Sequence, residues 1–279
     1  MAGILYVVAT PIGNLEDVTL RALRILREVS VIAAEDTRRT ARLLQHYSIT
    51  TRTTSLHEHN EREKSAKLIE RLLAGESIAL VSDAGTPIVS DPGQTLVAEA
   101  RAAGVRVEPV PGPSAVLAAL SASGLPAPAF TFLAFPPSRS KDREAWFASL
   151  AQRRSLAIFF EAPHRIAQTL TALAGVFGLH HVIGVGRELT KVHEQLVVCP
   201  INEAMVLFSE PKGEFTLLVP PADLSEHATE PLPDATQLRL EIGRLTNNGA
   251  LKVRDGLKIL AERYGTSVNH LYKLISEDR

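Results

Sequence analysis

Short apolar, β-branched runs alternate with longer segments of helical period along the first part of this 279-residue chain, and that alternation confines it to an α/β architecture. Ile4 to Val8, Val31 to Ala34, Ile78 to Val81 and Val105 to Val110 read as strands. Their near-continuous apolar character suits strands buried on both faces, as in a parallel sheet. Between them, Val18 to Val29, Thr37 to Tyr47, Glu61 to Ala74 and a segment ending at Arg101 read as helices. In the first of these, Leu20, Leu23, Ile25, Leu26 and Val29 recur near helical spacing with the arginines largely on the other side. Asp91-Pro92-Gly93 reads as the cap and first turn of the last helix, which stops at Gly104. A mostly parallel sheet over residues 1–125 is therefore expected.

From Phe130 the pattern changes. Leu156 to Phe160, Val182 to Val185, Gln195 to Val198 and Phe215 to Val219 read as strands, and only the first precedes an obvious long helix. This predicts a second α/β domain, residues 126–222, built on a mixed sheet. Pro220, Pro221, Pro231 and Pro233 among acids mark residues 223–234 as a linker. Three short helical patterns follow in residues 235–279: Ala235 to Leu245, Val253 to Tyr264 and Ser267 to Ile275. Gly265 stands where a helix-ending glycine belongs, with Thr266 or Ser267 as the next cap. The last two patterns, with Asn269, His270, Tyr272 and Lys273 on the second, predict a helix-turn-helix.

Composition narrows the functional classes. With 45% hydrophobic and 22% charged residues the chain has an ordinary globular profile, which excludes a disordered one. Prolines and glycines interrupt its richest apolar stretch before it reaches the roughly 18 residues of a membrane span. The first residues lack the basic start of a signal peptide, so no membrane association is expected. Cys199 is the single cysteine, which excludes an internal disulfide and fits a reducing cytoplasm. The net charge of −1 makes no field of its own for nucleic acid. Yet Arg21, Arg24, Arg27, Arg38, Arg39 and Arg42 face only Glu28, Glu35 and Asp36 in one stretch, which permits a phosphate-rich partner as readily as a solvated helix face.

Three loops rich in small residues follow predicted strands: Ala9 to Leu15, Ser82 to Pro87 and Pro111 to Ala115. In an open α/β sheet such loops converge on one crevice beyond the strand ends, where small residues let a ligand approach the backbone. None is a dinucleotide or phosphate-loop fingerprint, and Gly184-Val185-Gly186 lacks the third glycine. Ser90-Asp91-Pro92-Gly93 nearly repeats Ser82-Asp83, but its reading as a helix cap is preferred. His57-Glu58-His59 lacks the spacing of a zinc helix, so no metal is expected. Trp146 fits base stacking or burial on an amphipathic helix equally well.

Taken together, Val7 to Leu15, Ala34 to Arg38, Ser82 to Gly93, Pro111 to Ala115, Glu161 to Arg165 and Arg187 to Lys191 resemble, in order, the motifs of the bacterial small-subunit ribosomal RNA methyltransferase I family. That family belongs to the tetrapyrrole-methylase type of S-adenosylmethionine (SAM) enzymes. The resemblance implies two α/β domains with SAM in the cleft between them, a small helical RNA-binding tail, a homodimer, and 2′-O-methylation of a decoding-centre cytidine in 16S ribosomal RNA of the small subunit. It assigns cofactor binding to Pro11, Gly13, Ser82, Asp83, Ala84, Gly85, Thr86, Ser114, Ala115, Phe160, Glu161, Gly213, Glu214, Phe215 and Thr216. Asp36, Arg165 and Lys191 would carry catalysis, and Arg38, Arg39, His164 and Glu188 would meet the RNA. Asp36 is the first choice for the base, with capping of the Thr37 helix as its alternative role. Pro11 to Asn14 departs from the glycine-richer loop of the tetrapyrrole enzymes. That departure disfavours the rival activity, C-methylation of a precorrin or uroporphyrinogen.

Overall fold

A computed structural model describes residues 2–209, 212–222, 233, 235–246, 253–264 and 266–276. They fall into two compact units, residues 1–220 and 221–279. The first unit begins with β1 (Ile4–Val8), α1 (Leu20–Glu28), β2 (Val31–Ala34), α2 (Thr37–His46), β3 (Thr53–Ser55), α3 (Glu61–Leu73), β4 (Ile78–Val81), α4 (Gln94–Ala102), β5 (Arg106–Val110) and α5 (Ala115–Ser123). Its five strands run parallel in the order β3-β2-β4-β1-β5. Every residue of β2 and β4 is buried, because helices cover both faces of the sheet. On one face Ala22, Ile25 and Leu26 of α1 and Leu43 and Leu44 of α2 meet Val8, Ile32, Ala34 and Val81. On the other, Leu68 and Leu72 of α3 and Leu96 and Ala100 of α4 meet Leu5, Ala33, Ile78 and Leu80.

The unit continues with β6 (Phe130–Phe132), α6 (Ser140–Leu150), β7 (Leu156–Glu161), α7 (Ile166–Phe177), β8 (Val182–Arg187), β9 (Gln195–Pro200), α8 (Ile201–Leu207) and β10 (Phe215–Val219). The second sheet has the order β6-β7-β10-β8-β9. Only β6 and β7 pair in parallel; the other neighbours are antiparallel, which gives the mixed sheet expected. Helices α6, α7 and α8 cover one face through Phe147, Leu170, Leu173, Ile201 and Phe208 packed on Phe159, Val185 and Leu217. Val116 and Ala119 of α5 pack with Ile158 and Leu218 of the other face. Helix α5 therefore leaves the end of the first sheet and buries itself on the second.

The strands β3 and β6 were not foreseen. Each is three residues long, too short to show a period-2 pattern, and each is held at an edge by pairing with a longer neighbour. The expected cap of α4 is also corrected. Gly93, not Asp91, is the N-cap and supplies no side chain; Glu61 Oε1 instead accepts from the N–H groups of Gly93 and Thr95, at 3.1 and 2.7 Å. Asp91 and Pro92 lie in the preceding loop.

The second unit contains α9 (Ala235–Thr246), α10 (Val253–Arg263) and α11 (Val268–Ser276). Leu238, Leu257, Leu260, Ala261, Tyr264 and Leu271 form its core. The Tyr264 hydroxyl donates to the Glu241 carboxylate, and Ser267 Oγ accepts from the His270 N–H at 3.1 Å, which caps α11. Residues 223–232 and 234 of the expected linker, and Gly265, lie outside the described residues. Among the described residues no helix is long and apolar enough to cross a membrane.

Candidate active site

All strands of the first sheet end at one edge, and the chain reverses its winding direction between β4 and β1: β1 leads outward to β2, β4 to β5 on the other side. A crevice opens at such a switch point. Here it is laced by backbone bonds. Thr10 and Gly85 exchange N–H to carbonyl hydrogen bonds at 2.9 Å each. The Thr10 hydroxyl donates to the Ser82 carbonyl at 3.3 Å, and that of Thr86 to the Pro113 carbonyl at 3.4 Å. The three small-residue loops do converge. Gly85 has a φ of +79°, a left-handed conformation that a side chain would strain.

Two adjoining cavities result. The first, about 340 Å³, is lined by Ala84, Gly85, Thr86, Ser114, Ala115, Phe160, Glu161, Lys191, Glu214, Phe215 and Thr216 of the expected residues. It also contains Ile12, Val89, Ser90, Asp91, Phe135 and Leu189, none of which was expected to bind cofactor or substrate. The rings of Phe135 and Phe160 stand 5.5 Å apart, and Phe132 meets Phe160 edge-on at 5.0 Å. The second cavity, about 390 Å³, takes Pro11, Gly13, Ser82, Asp83 and Arg39, together with Arg42. Ile12, Ala84, Lys191 and Glu214 line both. The expected cofactor residues are thus divided between two neighbouring spaces.

Lys191 stands at the shared wall. Its Nζ donates to Glu188 Oε1 at 2.8 Å and Glu214 Oε2 at 2.9 Å. Burial opposes its charge, but these two carboxylates outweigh burial and raise its pKa. Glu188 Oε1 also accepts the Glu214 N–H at 2.9 Å; although burial works against its charge, these bonds lower its pKa. Gly13 lets this loop close on the other: a Cβ there would come within 2.4 Å of Lys191 Cγ and 2.9 Å of the Leu189 carbonyl oxygen. Glu188 and Thr190 both have positive φ, as do Ile88 and Ser90 across the first cavity. Such strain in non-glycine residues clusters where a fold must aim particular groups.

Behind the first cavity Glu161 is buried and paired. Arg143 Nη2 donates to its Oε2 at 2.6 Å, the Thr169 hydroxyl donates to the same oxygen, and the Ala162 N–H donates to Oε1 at 2.8 Å.

Asp83 lies between acids and a base. Its Oδ1 accepts the Asp36 N–H at 2.9 Å, its Oδ2 faces Arg39 Nη1 at 3.2 Å, and its own N–H donates to Glu35 Oε2 at 3.4 Å. Burial, then the charges of Asp91 and Asp83, raise the Glu35 pKa. Asp36 caps α2 through the Arg38 N–H and binds the Arg38 guanidinium with both oxygens. The Arg38 side-chain and backbone bonds pull its pKa down to about 2.

Asp36 lines neither cavity, and neither do Arg38, His164, Arg165, Glu188 and Gly213. His164 and Arg165 form the turn before α7. Gly213 packs beneath Glu188, whose Cγ would meet a Cβ there at 2.4 Å. His57 and His59 hold their rings 6.0 Å apart, and Asn60 Nδ2 lies 3.0 Å from His57 Nε2. Trp146 packs edge-on to Phe147 and Phe159 in the core, so burial accounts for it.

A family model for tetrapyrrole (corrin/porphyrin) methylases matches residues 4–205. A Vibrio cholerae protein named ribosomal RNA small subunit methyltransferase I is 45% identical over 276 residues, covering 98% of this chain and 94% of the relative. An Escherichia coli O157:H7 protein of the same name is 42% identical over 282 residues, covering 99% and 96%. Among solved structures, a diphthine synthase superposes with a TM-score of 0.62 at 18% identity, over 78% of this chain and 90% of that one. A uroporphyrin-III C-methyltransferase from Thermus thermophilus gives 0.57 at 21% identity, over 80% and 96%. The structural likenesses speak for the fold.

Proposed function

We infer the function from one premise: the chain belongs to the tetrapyrrole methylase family and, within it, to the ribosomal RNA small subunit methyltransferase I proteins. It is a methyltransferase, and its reaction is methylation of ribosomal RNA with SAM as donor. The finer reading, 2′-O-methylation of a decoding-centre cytidine in 16S RNA, is supported by the six motifs in order and by one observation above all. Two cavities meet at a wall of four residues, as transfer between a donor and an acceptor requires.

The first cavity suits the cofactor. Its volume is in the range of small-molecule sites, Phe135 and Phe160 offer ring faces, and Ala84, Gly85, Ser114 and Ala115 leave backbone groups approachable. SAM supplies an electrophilic methyl group on a sulfonium. The second cavity suits a nucleotide: Arg39 and Arg42 are matched to phosphate, and Asp83 to a ribose hydroxyl. Here Asp83 is placed as the base instead of Asp36, whose two oxygens are held by Arg38 and whose carboxylate, at about 2, binds a proton poorly. Lys191, kept as an ammonium between Glu188 and Glu214, would stabilise negative charge developing on the ribose oxygen.

The test is transfer of labelled methyl from SAM to small ribosomal subunits lacking the modification, with mass mapping of the product. A 2′-O-methylcytidine in the decoding centre is expected; labelling at a base atom would overturn the finer reading. The helical unit is proposed to add RNA affinity. Deleting residues 221–279 should raise the KM for RNA about tenfold or more with little change in single-turnover rate, as loss of uniform binding does. An unchanged KM would remove it from substrate binding.

A further inference from the structure

We propose that Asp91 is the carboxylate that recognises the positive charge of the cofactor in the first cavity, an assignment that rests on the SAM reading above. The ion pairs around the cavity single it out. Glu161 has Arg143 at 2.6 Å and Glu214 has Lys191 at 2.9 Å. Asp83, in the neighbouring cavity, has Arg39 at 3.2 Å. Asp91 lines the first cavity with no basic group within ion-pair distance among the described residues. The Ser82 hydroxyl, which donates to the Ala84 carbonyl at 3.4 Å, lies near enough to favour its charged form without balancing it.

The backbone aims it there. Ile88 has a φ of +76° and Ser90 of +71°, and the helix that Asp91 could have capped is capped by Glu61 instead. A β-branched residue in the left-handed region is a strained arrangement that persists where surrounding structure requires it. The charged groups about Asp91 are mostly of its own sign: Glu35, Asp83, Glu161 and Glu214, against Lys191 and Arg39, both already paired. Burial, reinforced by Asp83, raises the Asp91 pKa in spite of Ser82. A ligand bearing a cation relieves that cost. An uncharged ligand would not.

Binding of SAM and of S-adenosylhomocysteine (SAH) by titration calorimetry between pH 5 and 8 tests this on the full chain and on Asp91→Asn. The amide is isosteric with the carboxylate, and equal unfolding midpoints establish equal folding. Loss of a charge-assisted hydrogen bond should weaken SAM binding roughly 10- to 100-fold at neutral pH. Binding selects the carboxylate form. Wild-type affinity should therefore fall as pH drops through the raised pKa, where a proton must be displaced, and level off above it. The Asn variant should lose that dependence. Equal weakening for SAM and SAH assigns the amino group as the recognised cation, and weakening confined to SAM assigns the sulfonium; either supports the proposal. A variant that binds both within twofold of wild type at every pH overturns it. A wild-type protein that binds neither compound overturns the SAM reading instead.

Discussion

Asp83→Asn should lower the rate of methyl transfer about 10²- to 10⁴-fold, the range a positioned general base contributes, while SAM affinity stays within about threefold. The substitution is nearly isosteric, so the Asp36 N–H keeps its acceptor and only the charge facing Arg39 is lost. Asp83 stands among carboxylates with one cation beside it. Glu35 and Asp91 lie close to Asp83, and burial, reinforced by the neighbouring carboxylates, raises the pKa of each. Arg39 is the counter-charge, and its side chain is more than half exposed toward the space an RNA phosphate would enter. A phosphate that draws Arg39 from Asp83 would free Oδ2 to accept from a ribose hydroxyl. Single-turnover kinetics on Asp83→Asn and Asp36→Asn decide the matter: a full rate in the first, or an equal loss in a well-folded second, would return the base to Asp36.

The largest loss of stability is expected from Glu161→Ala. Breaking one partner of a buried ion pair costs about 3–5 kcal/mol, because the remaining charge cannot return to water. Arg143 is 12% exposed at its side chain and Glu161 is 1% exposed, so neither is screened. The Thr169 hydroxyl and the Ala162 N–H lose their acceptor as well. Urea unfolding should show a lower midpoint with an unchanged m-value. Combining Glu161→Leu with Arg143→Met should cost less than the sum of the two single changes, since apolar replacement of both partners leaves no orphaned charge. Strict additivity would mean that the pair acts through packing alone.

How far the site could be read from residues varies with what each residue's role depends on. Ser82 to Thr86 and Pro111 to Ala115 stood out because a run of small residues after an apolar strand is a local pattern, and both loops do line cavities. Phe160 and Thr216 were found through the resemblance alone; nothing in their own neighbourhoods marks them. Ile12, Val89 and Phe135 were passed over because an apolar residue lining a cavity looks like one in a core. Asp91 was misread for a clearer reason. Acid, proline and glycine before a helix is a sound capping signal, and only a glutamate thirty residues earlier displaced it. The repeated Ser-Asp pair in one loop was the signal that could have directed attention there.

The amino-acid sequence by itself determined the alternation of strands and helices, the parallel character of the first sheet and the mixed character of the second. Periodicity and β-branched runs are properties of neighbouring residues, and burial on one or both faces follows from them. Tertiary structure alone decided which side of the crevice each functional group faces. Asp83 and Asp91 lie eight residues apart in one loop, yet they line different cavities because left-handed turns at Ile88 and Ser90 and a cap supplied by Glu61 redirect the chain between them. Lys191 reaches the wall between those cavities because Gly13 leaves room for it across the whole first sheet's worth of sequence. Contacts over such separations depend on where the two sheets place their ends, which no local pattern specifies.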